Sequence, residues 1–202
     1  MSFTVIIIII TAIISILAFN NEELFNKLIL WPRKMDNPSE YYRLLTAGFI
    51  HADWMHLIFN MFTLFFFGRF VEMAFLSFGM NQFLFVVLYI TGIIAASLPS
   101  FIKKRDNSYY RSLGASGGVA AVLFSSVYFQ PWQQILIFFI PVPSILAAIG
   151  YLIYSAYSAK KGLGYVNHDA HFWGAIFGFV FTLIFAPDHG QLFLAQLMHP
   201  HI

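Results

Sequence analysis

Long apolar runs separated by short polar breaks make up most of this chain. The first run, 3–19, is interrupted only by Thr4, Thr11 and Ser15. The second, 54–75, holds His56 and Asn60 but no charge before Arg69 and Glu72. Four more follow at 83–98, 113–129, 143–158 and 170–186. Pro99 is expected to stop the third, Pro143 to open the fifth where a missing N–H costs nothing, and Pro187 and Asp188 to close the sixth. None alternates with period two, and their lengths lie near the about 17–25 residues that span a bilayer as a helix.

The polar breaks differ in kind. Segment 20–49 interleaves charges with Leu24, Phe25, Leu28, Ile29, Leu30 and Trp31. That pattern predicts short amphipathic pieces at the lipid boundary, anchored by Trp31, Tyr41 and Tyr42. Residues 130–143, broken by Pro131, Pro141 and Pro143, read as a boundary-lying connection or an extension of the fourth helix. Lys160 to Asp169 is a short polar loop with Gly162 and Gly164, and the tail with His189, His199 and His201 is expected to be unstructured or surface-lying. The opening run reads as a retained helix, because no Lys or Arg precedes it and no small-residue cleavage site stands before Asn20.

Composition turns these runs into membrane spans. The chain is 59% hydrophobic and 10% charged with a mean hydropathy of +0.75, whereas a soluble domain is about 25% charged. A soluble core of this size cannot hide that much apolar surface. The reading is an all-α polytopic membrane protein, one domain over 1–202 with six spans. A net charge of +2 without a basic tract argues against a nucleic-acid partner. With no cysteine, thiolate nucleophiles, disulfides and cysteine metal sites are excluded.

Polar side chains inside spans are costly, so they mark function or interhelical glue. Ser116 sits among Gly114, Ala115, Gly117 and Gly118, where small neighbours allow close backbone approach and leave the hydroxyl open. The Gly-x-Ser-x-Gly spacing matches the α/β-hydrolase elbow, but no strand precedes it, so that fold is rejected. His171 is followed by Gly174 and Gly178 on one helix face, which lets the fourth helix approach through Gly114, Gly117 or Gly118, and Ala121. Such an approach brings imidazole to hydroxyl, the elements of a Ser-His dyad. His56 and Asn60, one turn apart, can donate with the Ser116 N–H to an oxyanion. His51 reads as structural, and Asp169 points away from His171, so no third triad member is expected. A metal site is the competing chemistry for His51, His56, His168 and His171, but their spacing matches no familiar ligand pattern. No cofactor is implied.

Three stretches together resemble the rhomboid intramembrane serine proteases, in their compact bacterial six-helix form. They are Arg43 through Thr46 and His51 to His56-Leu57-Ile58-Phe59-Asn60, then Gly114-Ala115-Ser116-Gly117, then Ala170-His171-Phe172-Trp173-Gly174 with Gly178. The resemblance implies a six-helix rhomboid-like bundle in a bacterial inner membrane. In it Ser116 is the nucleophile, His171 the base, and His56 and Asn60 oxyanion donors. Arg43 organises the first long loop. The substrates it implies are transmembrane helices, cut near the membrane boundary. It also implies an aromatic residue one turn after the serine, packing on the imidazole, in some members. Here that position is Ala120, which leaves Tyr151, Tyr154 and Tyr157 as candidates for wider support. Ten of the eleven Lys and Arg fall on the face that carries the motifs and only Arg69 on the other, so the positive-inside rule places that face inside where the resemblance places it outside. Two other functions fit parts of the pattern. A non-cleaving rhomboid-like helix-binding chaperone needs no serine or histidine, and a small transporter needs a polar path across the membrane.

Overall fold

The structure is a computed structural model that describes residues 2–137, 139–161 and 167–200. Among these residues the chain forms helices α1 (Phe3–Phe19), α2 (Glu22–Leu28), α3 (Arg43–Thr46), α4 (Trp54–Ser77), α5 (Phe83–Lys103) and α6 (Ser116–Phe129). A hairpin of β1 (Gln134–Ile137) and β2 (Ile140–Pro143) follows, then α7 (Ser144–Lys161), α8 (His168–Phe185) and α9 (Gly190–Met198).

The apolar runs become the six long helices, and α4, α5 and α8 are long and apolar enough to cross a membrane. Large side chains such as Met55, Phe59, Phe62, Ile153 and Ile184 stand exposed around the bundle, as lipid-facing residues do. The chain is an integral membrane protein. Small residues set its centre. On α6, Gly117 backs onto Ala96 of α5, and Gly118 onto Ile93 and Tyr89 of the same helix. That lets α6 sink between its neighbours until nearly every one of its residues is buried.

Polar residues close the helix ends. Asn21, Asp53 and Asn167 cap α2, α4 and α8, accepting from the N–H groups of Leu24 (2.9 Å), His56 (2.8 Å) and Ala170 (3.1 Å). Glu72, buried within α4, caps α1 from outside it, accepting from Phe3 N–H at 2.8 Å, Thr4 N–H at 3.2 Å and the Ser2 and Thr4 hydroxyls. A carboxylate at a helix N-terminus meets both the free N–H groups and the positive end of the dipole. In the first long loop the buried Arg43 donates to the carbonyls of Asn26 (2.8 Å) and Ile29 (3.0 Å) at the end of α2 and pairs with Glu40 at 2.6 Å. The Thr46 hydroxyl takes the Leu28 carbonyl at 2.9 Å.

Four expectations need correction. Pro99 does not end its helix: α5 runs on to Lys103, because Ala96 and Ser100 on either side of the proline are buried and that packing outweighs one lost backbone bond. The fourth helix starts at Ser116 and not at 113, since Ser112 exchanges backbone bonds with Leu30 (3.0 and 3.1 Å) and Gly114 N–H donates to Ala47 at 2.9 Å. Residues 134–143 are neither a loose connection nor a helix extension but an antiparallel hairpin, Gln134 opposite Pro143 and Ile137 opposite Ile140. The tail is not unstructured: α9 is helical and lies on the surface, the other reading given above, receiving the Trp132 indole N–H on its Gln196 carbonyl at 2.7 Å, while His189 just ahead of it is buried. Gly162, Gly164 and His201 lie outside the described residues.

Candidate active site

The serine turn is shaped by one glycine. Gly114 has φ +112°, a conformation that disfavours any side chain, and a Cβ there would fall 2.6 Å from the His56 ring. The Cε1–Nε2 edge of the His56 imidazole therefore lies close against the turn that leads into Ser116. The next two residues change direction, and Ser116 becomes the first residue of α6. The opening N–H groups of a helix have no intrahelical acceptor and carry the positive end of its dipole, so the backbone beside Ser116 is suited to an oxyanion.

His51, in the loop ahead of α4, fastens this turn to the rest of the bundle. Its Nε2 accepts from Ala115 N–H at 3.3 Å, so Nδ1 carries the proton and donates to the Ser15 hydroxyl of α1 at 2.9 Å. The Ser15 hydroxyl in turn donates to the Phe49 carbonyl at 2.9 Å. Burial, with the His56 ring 4.9 Å away, holds the His51 imidazole neutral by lowering its pKa to about 3.

The base candidate arrives on α8. A Cβ on Gly174 would collide with the Gly117 carbonyl, and one on Gly178 with the backbone of Ala121, so α6 and α8 touch backbone to backbone at two successive turns. That contact fixes the register. Ser116 is the residue before Gly117 and His171 stands one turn before Gly174, so both polar side chains lie toward the N-terminal ends of two parallel helices in contact. Both are half-buried, and among the described residues no hydrogen bond joins them. Bonds of this kind are often long until a substrate is bound. Asn60 is buried on α4, and one of its amide N–H groups is spent on the His56 carbonyl at 2.8 Å, which leaves the other to donate.

Two features are absent from the sequence reading, and a third is one of the three tyrosines it offers as support. Asn167 caps α8 and donates to the Ser100 (3.0 Å) and Ser112 (2.8 Å) hydroxyls, tying the histidine helix to α5 and to the segment that enters the serine turn. Its position just ahead of an apolar run is the signal that marks a cap. A cavity of about 20 Å³, bordered by Ser97, Ser112, Ser116 and Asn167, is large enough for about one water molecule. Tyr151 of α7 stacks on the His171 ring at 5.9 Å between centroids and 18° between planes. Asp169, expected to point away from His171, forms an ion pair with Lys103 at 3.0 Å.

A family model for the Rhomboid domain matches residues 38–188. The chain is 33% identical over 153 residues to Rhomboid-like protein 11, chloroplastic, of Arabidopsis thaliana, covering 69% of this chain and 51% of that protein. Over 175 residues it is 29% identical to RHOMBOID-like protein 12, mitochondrial, of the same plant, covering 78% and 50%. Rhomboid protein 1, mitochondrial, of Saccharomyces cerevisiae is 30% identical over 143 residues, covering 68% and 40%. The chain spans about half the length of the curated relatives it matches, or less.

Proposed function

The chain belongs to the rhomboid family, and on that premise we propose that it is an intramembrane serine endopeptidase working through a Ser116–His171 dyad. The observation that carries the proposal is the seating of Gly174 on Gly117, with His171 one turn before the first and Ser116 one residue before the second. The Ser116 hydroxyl attacks a peptide carbonyl while the His171 imidazole takes its proton. Negative charge on the former carbonyl oxygen is received by the Ser116 N–H, the free Asn60 N–H and the His56 ring. Collapse breaks the C–N bond, and the leaving amine takes the proton from His171. Water then attacks the acyl ester with His171 again as base, releasing the acid and restoring Ser116.

The substrates of this reading are membrane proteins with a transmembrane helix. Such a helix must unwind locally before a carbonyl is open to attack, because its backbone is otherwise bonded to itself in lipid. The enzyme works in a bacterial inner membrane, a placement that rests on the resemblance to the bacterial six-helix form; the relatives named above are proteins of organelles.

Fluorophosphonate labelling of the detergent-solubilised chain tests the dyad. Wild type should label, and Ser116→Ala and His171→Ala should each lose labelling by at least about 10³-fold. Native wild type that does not label would overturn the reading in favour of a rhomboid-like protein that binds helices without cutting them.

A further inference from the structure

A general base is useful only while its ring is held in line with the nucleophile, and among the described residues no acidic side chain holds this one. Asp169, two residues away, is engaged by Lys103. On α6 the residue one turn beyond Ser116 is Ala120, a methyl group that offers the imidazole no wall. What lies against the ring comes from a different helix. Tyr151 of α7 stacks on His171 nearly parallel, at 5.9 Å and 18°, inside the range of about 4.5–7 Å in which offset aromatic pairs attract.

Tyr151 is itself held in place. Its ring packs on the apolar cluster of Ala120, Phe124, Ala148 and Ala175, and the Phe124 ring lies 5.9 Å away at 49°. Phe124, Tyr151 and His171 thus form a pile of three rings drawn from α6, α7 and α8. The His168 ring stands nearly perpendicular to His171, with ring centroids 6.0 Å apart at 80°. Among the described residues the Tyr151 hydroxyl has no hydrogen-bond partner, so the ring is the part that acts.

We propose that Tyr151 is the positioning residue of the dyad: its ring face, buttressed by Phe124, sets the plane of the His171 imidazole toward Ser116, and its hydroxyl takes no part. Proton transfer from Ser116 then depends on α7 being seated. The proposal rests on the dyad reading above.

The test is saturation kinetics of fluorophosphonate labelling on the whole chain in detergent. It separates the maximal labelling rate, which needs an aligned base, from the half-saturating probe concentration, which does not. Tyr151→Leu keeps apolar volume and removes the flat face; its maximal rate should fall by about tenfold to a hundredfold with half-saturation unchanged. Tyr151→Phe keeps the face and should label as fast as wild type. Phe124→Leu leaves Tyr151 in place but loosens it, and should show a smaller loss in the same constant. Folding of each variant is read from its melting temperature, and if Tyr151→Leu does not fold, Phe124→Leu decides. Tyr151→Leu labelling at the wild-type rate would overturn the proposal, as would Tyr151→Phe as slow as Tyr151→Leu, or unaltered labelling by Phe124→Leu. Those results leave the dyad standing provided His171→Ala stays silent. A silent wild type fails the dyad instead.

Discussion

Helix α8 is held along two edges, one by α6 and one by α7, and they are built by different means. Along α6 the contact is backbone on backbone, Gly174 over Gly117 and Gly178 over Ala121. Directional bonds lock it further down: the Ser125 and Thr182 hydroxyls meet at 2.7 Å, and the Tyr128 hydroxyl donates to the Ala186 carbonyl at 2.9 Å. Along α7 the contact is side chain on side chain, Tyr151 on His171 and Tyr154 on His168. Among the described residues no hydrogen bond joins α7 to α8. The Ser155 and Ser158 hydroxyls and His168 Nδ1 are instead buried without partners. Steric contact has no play in it, whereas ring faces can slide. On the proposed reading, the first edge sets how far apart Ser116 and His171 stand, and the second sets how the imidazole is turned.

The sharpest way to break this contrast is to add carbon to each edge. In Gly174→Val the new atoms would meet the Gly117 carbonyl, which cannot retreat without dragging Ser116 along α6. A cost of about 3 kcal/mol or more is expected, with loss of labelling. Gly150 on α7 has nothing within 4 Å of where its Cβ would be. Gly150→Ala should therefore stabilise by about 0.5–1 kcal/mol through helix propensity alone. Melting temperatures of the two variants in one detergent test both, and a Gly174→Val that melts and labels like wild type would remove the α6 edge from its role.

The α6 edge was legible in the sequence and the α7 edge was not. Small residues spaced three and four apart leave few ways for helices to meet, so Gly117, Gly174 and Gly178 announce their contact in advance. A tyrosine gives no such sign, because Tyr151, Tyr154 and Tyr157 share a composition and nearly share a face, and only the docking of α7 selects Tyr151 for the imidazole. Long-range capping was equally silent. Glu72 stood out as a charge in an apolar run, but its partners at the start of α1 lie some seventy positions back in the chain. The hairpin at 134–143 was missed because its prolines argue against helix without arguing for pairing, and only the register Gln134 to Pro143 shows how both strands accommodate them.

Acid should attack the rigid side first. His51 clips Ala115, and hence the start of α6, to α1 while its imidazole is neutral. Burial lowers its pKa to about 3, against about 6.5 for the unfolded chain. A depressed folded pKa means the unfolded state binds the proton first. The stability this group contributes is fully present above about pH 6.5 and is lost as pH falls toward 3, by up to about 1.4 kcal/mol per pH unit. Melting temperatures measured from pH 7 to pH 4 should fall in wild type and fall less steeply in His51→Gln. Parallel slopes in the two proteins would remove His51 from this role.

The smallest effect discriminates most finely, because it asks each edge what a single hydroxyl is worth. Ser125 is fully buried and shares its hydrogen bond with Thr182 across the α6 edge. Ser125→Ala gives up an interhelical bond and should cost about 0.6 kcal/mol, the usual worth of such a bond in a membrane bundle. Ser155 on α7 is just as buried, but among the described residues its hydroxyl has no partner. Ser155→Ala removes an unsatisfied group and keeps the helix, so it should be neutral or stabilising. The two substitutions delete the same atom at the same depth of burial, which cancels most of what differs between unfolded states. Opposite signs in the two melting shifts would mean that α8 is bonded on one side and merely leaned upon on the other. Equal losses would mean that Ser155 has a partner of its own, such as an ordered water, and that α7 is fastened to the bundle as firmly as α6.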